Sequence, residues 1–428
     1  MLDKSNFFKH SAIAFSVRVV GALIGLVMTM TVTRTLPVAE AGMFFLAIAV
    51  MTVLASVSTL GLTAAFIRFI AGYIAENNWN VVNGVFTAGL KATFITASIV
   101  SGLLYFSSDF LASRVFDNIA LAPVLKFVSF TIPFYALFQL IGFAFQGLNK
   151  SVIVIFIQTI FTPLFFVLLT GLSVYFGSVQ SAKWLSGLFF VASMMTFSIG
   201  IWQWYRRQES RCKADYSRTL DLKNSALPLW IAGLMMILVQ WSGQLIASTH
   251  VSAEQLAVFA VAQRLSLLTT FVLIAVNLVA APRFASCSQL GNTDELRSTS
   301  IFCSRIMVFF VTPVLLFMLF FAEFLMGLFG DEYTQGAYLL QIMVFGQFIN
   351  VVCGSVGFLL RMTGHEKDLR NTVLLSGPPA LLLGFLIIPI YGVTGAAIST
   401  AVGIAAQNLL SVYMVKKRLG FNTLNLFN

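Results

Sequence analysis

The sequence predicts an all-α membrane protein of about twelve transmembrane helices in two six-helix bundles. Of the 428 residues, 58% are hydrophobic and only 10% are charged, with a mean hydropathy of +0.91. Soluble domains carry roughly 25% charged residues. Apolar runs of ~20 residues, enough to span a ~30 Å hydrocarbon core as helix, recur along nearly the whole chain. These runs, such as Val152 to Phe176, are apolar on every face rather than alternating, which selects helices over a closed barrel.

Apolar runs between charged breaks place helices near 11–33, 42–66, 81–106, 121–145, 152–176 and 184–204. A second set falls near 224–249, 254–281, 300–320, 337–361, 372–390 and 392–415. The first run follows Lys4 and Lys9 in the manner of a signal peptide. It is too long for a signal core and no small-x-small site follows it, so a retained first helix is expected. Pro133, Pro163, Pro313 and the pair Pro378-Pro379 fall inside expected helices, where each removes a backbone donor and bends the helix, as a static kink or as part of a gate.

Charge sets the orientation. With both termini placed in the cytoplasm, eighteen basic residues fall in inner loops and tails, against Arg34, Arg114 and Lys183 outside. The inner set includes Arg206, Arg207, Arg211, Lys213, Arg218 and Lys223. The net charge of +10 therefore belongs to membrane-proximal loops beside anionic lipid, and no nucleic-acid partner is needed to explain it.

The two halves share one plan. Lys9-His10-Ser11-Ala12 corresponds to Lys223-Asn224-Ser225-Ala226, Glu40 to Glu254 and Asp117 to Asp331, each pair 214 residues apart. Gly147-Leu148-Asn149-Lys150 corresponds to Gly364-His365-Glu366-Lys367 at a slightly longer offset. The expected organisation is a bundle at 1–205, a basic cytoplasmic linker at 206–223 and a second bundle at 224–428. With an even number of helices each, the bundles enter from the same side and should be related by an axis along the membrane normal. A cleft between them, exposed alternately to each side, is expected.

All sixteen acidic residues lie in loops or at the edges of the expected spans, whereas Arg18, Lys91, Lys126, Arg264 and Arg305 lie within spans. A charge at mid-helix costs roughly 2.5–3.5 kcal/mol on insertion scales, so such residues tend to face a bundle interior or a wet cavity. Lys91 and Arg264 lie about ten residues from either helix end, ~15 Å at 1.5 Å per residue, beyond easy snorkelling. Arg18 lies roughly 10 Å in. Lys126 and Arg305 are shallow, and their heads are expected at the interface.

Fixed cations without fixed anions favour an anionic ligand held by charge-assisted hydrogen bonds, and a pyrophosphate is one. Gln240 and Gln244, one turn apart beside Trp241, are candidates for sugar hydroxyls, with Asn277, Gln347 and Asn350 in later helices. Interhelical hydrogen bonding is the alternative role for all of them. Cys212, Cys287, Cys303 and Cys353 form no CxxC pair, and His10, His250 and His365 no cluster, so no disulfide, metal or other cofactor is expected. No nucleophile with a base, intramembrane carboxylate pair or phosphate-binding Gly-rich loop points to an enzyme.

Several stretches resemble the polysaccharide-transport family, the Wzx-type flippases for O-antigen or exopolysaccharide units within the multidrug/oligosaccharidyl-lipid/polysaccharide exporter superfamily. Thr33-Arg34-Thr35-Leu36-Pro37-Val38-Ala39-Glu40-Ala41-Gly42-Met43-Phe44 is similar to that family's first outer loop. Leu328-Phe329-Gly330-Asp331-Glu332-Tyr333 resembles its loop before helix 10, and Ile388-Pro389-Ile390-Tyr391-Gly392-Val393-Thr394-Gly395-Ala396-Ala397-Ile398 its turn between helices 11 and 12. The resemblance implies a MATE-like fold in the inner membrane. It also implies undecaprenyl-pyrophosphate-linked oligosaccharide as substrate and, as possible partners, a glycan polymerase and chain-length proteins.

Arg18 and Arg264 also resemble the cavity arginines of lipid II flippases, but this chain lacks those relatives' two additional helices, and its second helix has no basic residue before Arg68. The alternatives are a small-molecule or drug exporter and a non-transporting membrane scaffold for glycan polymerisation. Drug-exporting relatives use an intramembrane acid, which has no counterpart here. A major-facilitator exporter would carry an Asp-x-x-Gly-Arg-Arg type loop, which the stretch from Arg68 to Asn80 does not resemble.

Overall fold

A computed structural model describes residues 4–178, 180–207, 213–217, 219–290 and 292–424. Within the expected linker at 206–223, Arg211, Cys212 and Arg218 lie outside the described residues. Helices are the only regular structure among the described residues, and the chain packs as two units: Ala12–Ile237, and Leu238–Asn428 with Met1–Ser11.

α1 (Lys4–Thr35), which belongs to the first unit from Ala12 onward, stops before Pro37, which lacks the N–H a continuing helix needs, and α2 (Val38–Ser58) starts beyond it. α2 is apolar all round and correspondingly buried, Ala41 through Ala49 without interruption. The helix expected over 42–66 is not continuous. Leu60 and Gly61 adopt left-handed φ of 51° and 72°, so α2 ends and α3 (Leu62–Ala75) starts afresh. A break at membrane depth frees carbonyls that water cannot satisfy, and neighbouring side chains do so instead. Thr96 Oγ1 donates to the Ser58 carbonyl at 2.6 Å, and Trp230 Nε1 to that of Val57 at 3.1 Å.

Asn78 caps α4 (Trp79–Phe110), its side chain accepting from the Val81 N–H. The span expected over 121–145 is also two helices, α5 (Leu121–Ser129) and α6 (Thr131–Gly147), inclined by 45°. Pro133 sits in the first turn of α6, where its missing donor costs nothing, so it marks a helix start and not an internal kink. Ser101 Oγ on α4 donates to the Ser129 carbonyl at this bend, at 2.7 Å. α7 (Ser151–Ile155) widens into a π-turn at Phe156–Ile160 before α8 (Phe161–Tyr175), where Pro163 has no N–H to offer Thr159. The first backbone N–H of α9 (Ala182–Arg207) donates to the Glu40 carboxylate. Phe66, Phe86, Phe138, Phe145 and Trp204 form the unit's aromatic core, with Phe86 and Trp204 stacked at 4.0 Å between ring centroids.

α10 (Thr219–Ala247) carries the chain into the second unit. α11 (Ala253–Ser266) opens on a capping box between Ser252 and Gln255 and passes through a 3-10 turn, Leu267–Thr269, into α12 (Thr270–Gln289). Asn292 caps α13 (Thr293–Phe320) by accepting from the Glu295 N–H at 3.1 Å, and Pro313 lies inside this helix. α14 (Ala322–Gly327) and a 3-10 turn at Asp331–Gly336 lead to α15 (Ala337–Cys353). The helix expected over 337–361 is interrupted by Gly354 at φ 78°, and α16 (Val356–Met362) completes it.

α17 (Glu366–Leu419) has 54 residues, ~80 Å if straight and more than twice a ~30 Å bilayer core. It is broken at Gly392, with φ 56° and ψ −132°. Across the break Asp368 meets Arg418, Thr372 meets Ser411, Ala380 meets Gly403 and Gly384 meets Ser399. One partner's number rises as the other's falls, so the arms run antiparallel, as the expected helices 372–390 and 392–415 require.

Among the described residues nine helices are long and apolar enough to cross a membrane, or ten with the bent α5–α6 pair taken as one crossing. The sequence reading of about twelve counts the two arms of α17 separately and includes α10, whose apolar stretch among these residues is the short Gly233–Ala247.

Candidate functional site

The five side chains expected to bind substrate fall in both units. Arg18 and Lys91 belong to the first; Gln240, Gln244 and Arg264 belong to the second.

Arg18 is half-buried on α1, in the stretch that packs on the π-turn. Val17 and Ile24 lie against Ile155 and Ile160, and a Cβ on Gly21 would come 3.1 Å from Ile160 and Thr159. Lys91 is exposed on α4, and its Nζ lies 5.9 Å from the centre of the Tyr216 ring, a cation–π contact. Tyr216 is anchored by its neighbour, because the Asp215 N–H donates to the Asn80 carbonyl at 2.9 Å. Neither Arg18 nor Lys91 forms an ion pair with a carboxylate among the described residues. Lys126 does: its Nζ lies 2.7 Å from Asp109 Oδ2 and 2.9 Å from Oδ1, tying α5 to the end of α4.

In the second unit Gln240 and Gln244 stand one turn apart on α10. Gln240 is exposed, and its carbonyl accepts from Gln263 Nε2 at 3.1 Å. Gln244 is buried, with no partner for Nε2 among the described residues. Arg264 follows Gln263 on α11 and is half-buried. Asn350 Nδ2 donates to Gln347 Oε1 at 3.1 Å, one turn away on the same helix, so this bond does not bridge two helices. Asn277 is buried, and its Oδ1 lacks a partner among the described residues.

Every described carboxylate lies at or near a helix end, as Glu40, Asp109, Glu254 and Asp294 illustrate, and Asp368 is held by a two-fold hydrogen bond to Arg418. Guanidinium and ammonium groups therefore supply the fixed charge along the described helices, beside buried Ser and Thr hydroxyls and amides. Among the described residues no group of three His, Cys, Asp or Glu could hold a metal, and Cys287, Cys303 and Cys353 are buried free thiols.

A family model described as polysaccharide biosynthesis protein matches residues 7–288, well over half of the chain. The chain belongs to this polysaccharide biosynthesis family. A second model, MatE, matches residues 231–376. An uncharacterized membrane protein of Methanocaldococcus jannaschii is 23% identical, over 98% of this chain and 84% of its own length. A multidrug resistance MATE family transporter of the MOP superfamily, solved facing inward, aligns with a TM-score of 0.73 at 14% identity, covering 96% of this chain and 98% of its own. The lipid II flippase MurJ, in an inward closed conformation, aligns with a TM-score of 0.73 at 16% identity, covering 94% and 87%. The fold is thus MATE-like, and this member of the polysaccharide biosynthesis family is a multi-pass membrane protein.

Three residues beside the expected site escaped the sequence reading. Gln263 adjoins Arg264, and an amide next to an intramembrane cation was its signal. Asp215 and Tyr216 belong to the linker, and nothing local in the sequence assigns them to α4.

Proposed function

We propose that this protein is a flippase carrying undecaprenyl-pyrophosphate-linked oligosaccharide repeat units from the cytoplasmic to the periplasmic leaflet of the inner membrane by alternating access, for O-antigen or exopolysaccharide synthesis. The observation that carries this reading is the sign of the intramembrane charge: Arg18, Lys91 and Arg264 lie within helices whose carboxylates are kept to the ends. In this reading the cations take the pyrophosphate, whose oxygens accept charge-assisted hydrogen bonds, and Gln240 and Gln244 offer amides to sugar hydroxyls. Both termini face the cytoplasm, where the basic loops meet anionic lipid. A glycan polymerase and chain-length proteins would take up the product.

Deleting the gene and locating the accumulated lipid-linked oligosaccharide tests the proposal. Accumulation on the cytoplasmic face is expected. Units that reach the periplasm but stay unpolymerised would overturn flipping in favour of an assembly scaffold. The MatE match over residues 231–376 favours a second reading, export of a small molecule; unchanged surface glycan together with drug hypersensitivity would select it.

A further inference from the structure

Around the turn joining α12 to α13, Arg283, Asp294, Arg297, Ser298, Phe302 and Arg305 line an open cavity of about 620 Å³. Three guanidiniums face one carboxylate there. Arg283 and Arg297 form no ion pair among the described residues. None of this belongs to the site described above.

The first half shows what such a turn accommodates. α3 ends at Ala75 and α4 starts at Trp79; α12 ends at Gln289 and α13 starts at Thr293, each 214 residues on. Asn78 and Asn292 cap the two following helices in the same way. In the first half the chain itself occupies the groove. Asp215 donates to the Asn80 carbonyl, and its own carbonyl lies 1.7 Å from where a Cβ on Gly84 would stand. The centre of the Tyr216 ring lies 5.9 Å from Lys91 Nζ.

In the second half Ser298 replaces Gly84, and its Cβ bars so close an approach by a backbone. Arg305 replaces Lys91 and Arg297 replaces Asn83, so the matching space is more cationic and suits a compact anion. Phe302 and Phe309, 58% and 73% exposed, lie on the α13 face that carries Arg305, at i−3 and i+4 from it. Apolar surface therefore runs away from the charges along one helix face.

We propose that this cavity binds the phosphate of an anionic lipid, with the headgroup among Arg283, Arg297 and Arg305 and an acyl chain along Phe302 and Phe309. Guanidinium pairs phosphate oxygens in a fixed fork, and the phenylalanines supply what a soluble phosphate has no use for.

The test uses the purified full-length protein in phosphatidylcholine nanodiscs with rising fractions of dioleoyl phosphatidic acid, or with inorganic phosphate added, and follows the apparent unfolding temperature. Phosphatidic acid should raise it and inorganic phosphate should not. The triple change Arg283→Gln, Arg297→Gln and Arg305→Gln should need at least about tenfold more lipid for the same rise. Ser298→Trp, which fills the cavity and leaves every charge in place, should do likewise, and Asp294→Asn should need less. Equal shifts with inorganic phosphate would overturn the lipid as source. Wild-type titration in both the triple variant and Ser298→Trp would overturn the site, and a weaker response in Asp294→Asn would overturn its preference for anions.

Discussion

Glu40 and Glu254 stand 214 residues apart at matching places in the duplicated chain, in the first turns of α2 and α11. Glu40 accepts the first N–H of α9, 142 positions away in sequence, whereas Glu254 is exposed beside a capping box that Ser252 and Gln255 already complete. The same divergence separates Lys91, whose ammonium meets the ring of Tyr216, from Arg305, which lines an open cavity. Duplication preserves helix ends and caps because they depend on local chemistry. What a conserved charge does depends on which distant segment has come to lie against it, and that differs between halves.

The sharpest separation of the halves concerns transport. Arg264 has no cationic counterpart in the first half, where position 50 is Val50, so the second half alone offers a guanidinium at this depth. Under the proposed function, Arg264→Ala should lower flipping of lipid-linked oligosaccharide in proteoliposomes by about 10- to 100-fold, the loss of a charged hydrogen bond of roughly 1.5–3 kcal/mol. Insertion and the unfolding temperature should stay close to wild type. Normal flipping by a well-folded Arg264→Ala protein would remove this residue from the substrate path.

The next contrast is steric. Gly84→Ser puts a Cβ 1.7 Å from the Asp215 carbonyl, closer than any contact allows, so the linker must leave the groove. A loss of about 1–3 kcal/mol and faster proteolysis within 213–217 are expected. Ser298→Gly at the matching position should stay within about 0.5 kcal/mol, apart from the intrinsic helix cost of glycine. Similar behaviour of the two variants would mean that the linker does not depend on Gly84.

Glu40→Gln should follow, with a loss of about 0.5–2 kcal/mol from the N-terminus of α9. Glu254→Gln should cost a few tenths, because its neighbours cap α11 without it. Thermal unfolding of both variants in the same detergent decides the matter, and equal losses would erase the difference between the halves.

How much of this was legible in the chain follows the same division. Each expected span falls on helix because lipid demands long apolar runs, whereas the caps Asn78 and Asn292, which the sequence reading did not name, set the starts of α4 and α13 at Trp79 and Thr293 rather than near 81 and 300. The breaks at Leu60, Phe130 and Gly354 were not legible. They persist because Thr96, Trp230 and Ser101 reach freed carbonyls from elsewhere, or, at Gly354, because only glycine fits: a Cβ there would meet Ser304 Oγ at 2.1 Å. Depth alone singled out Lys91 and Arg264, yet it read Arg305 as a lone snorkelling residue. The offset of 214 from Lys91, set beside Arg297 and Arg283, was the available signal for the cavity.

Lys126 tests the depth argument from its weak end. Sequence places it one turn inside the interface, and the structure pairs it with Asp109, both partners open to solvent at 34% and 69% of their side-chain surface. An exposed pair of this kind contributes about 0–1 kcal/mol, because water screens it and two flexible side chains must be held still. Lys126→Ala should therefore leave flipping at the wild-type rate and lower stability by less than about 0.5 kcal/mol at physiological salt. If Lys126→Ala abolished flipping to the extent expected for Arg264→Ala, charge anywhere along the helices would suffice, and depth in the span would no longer mark the residues proposed to meet substrate.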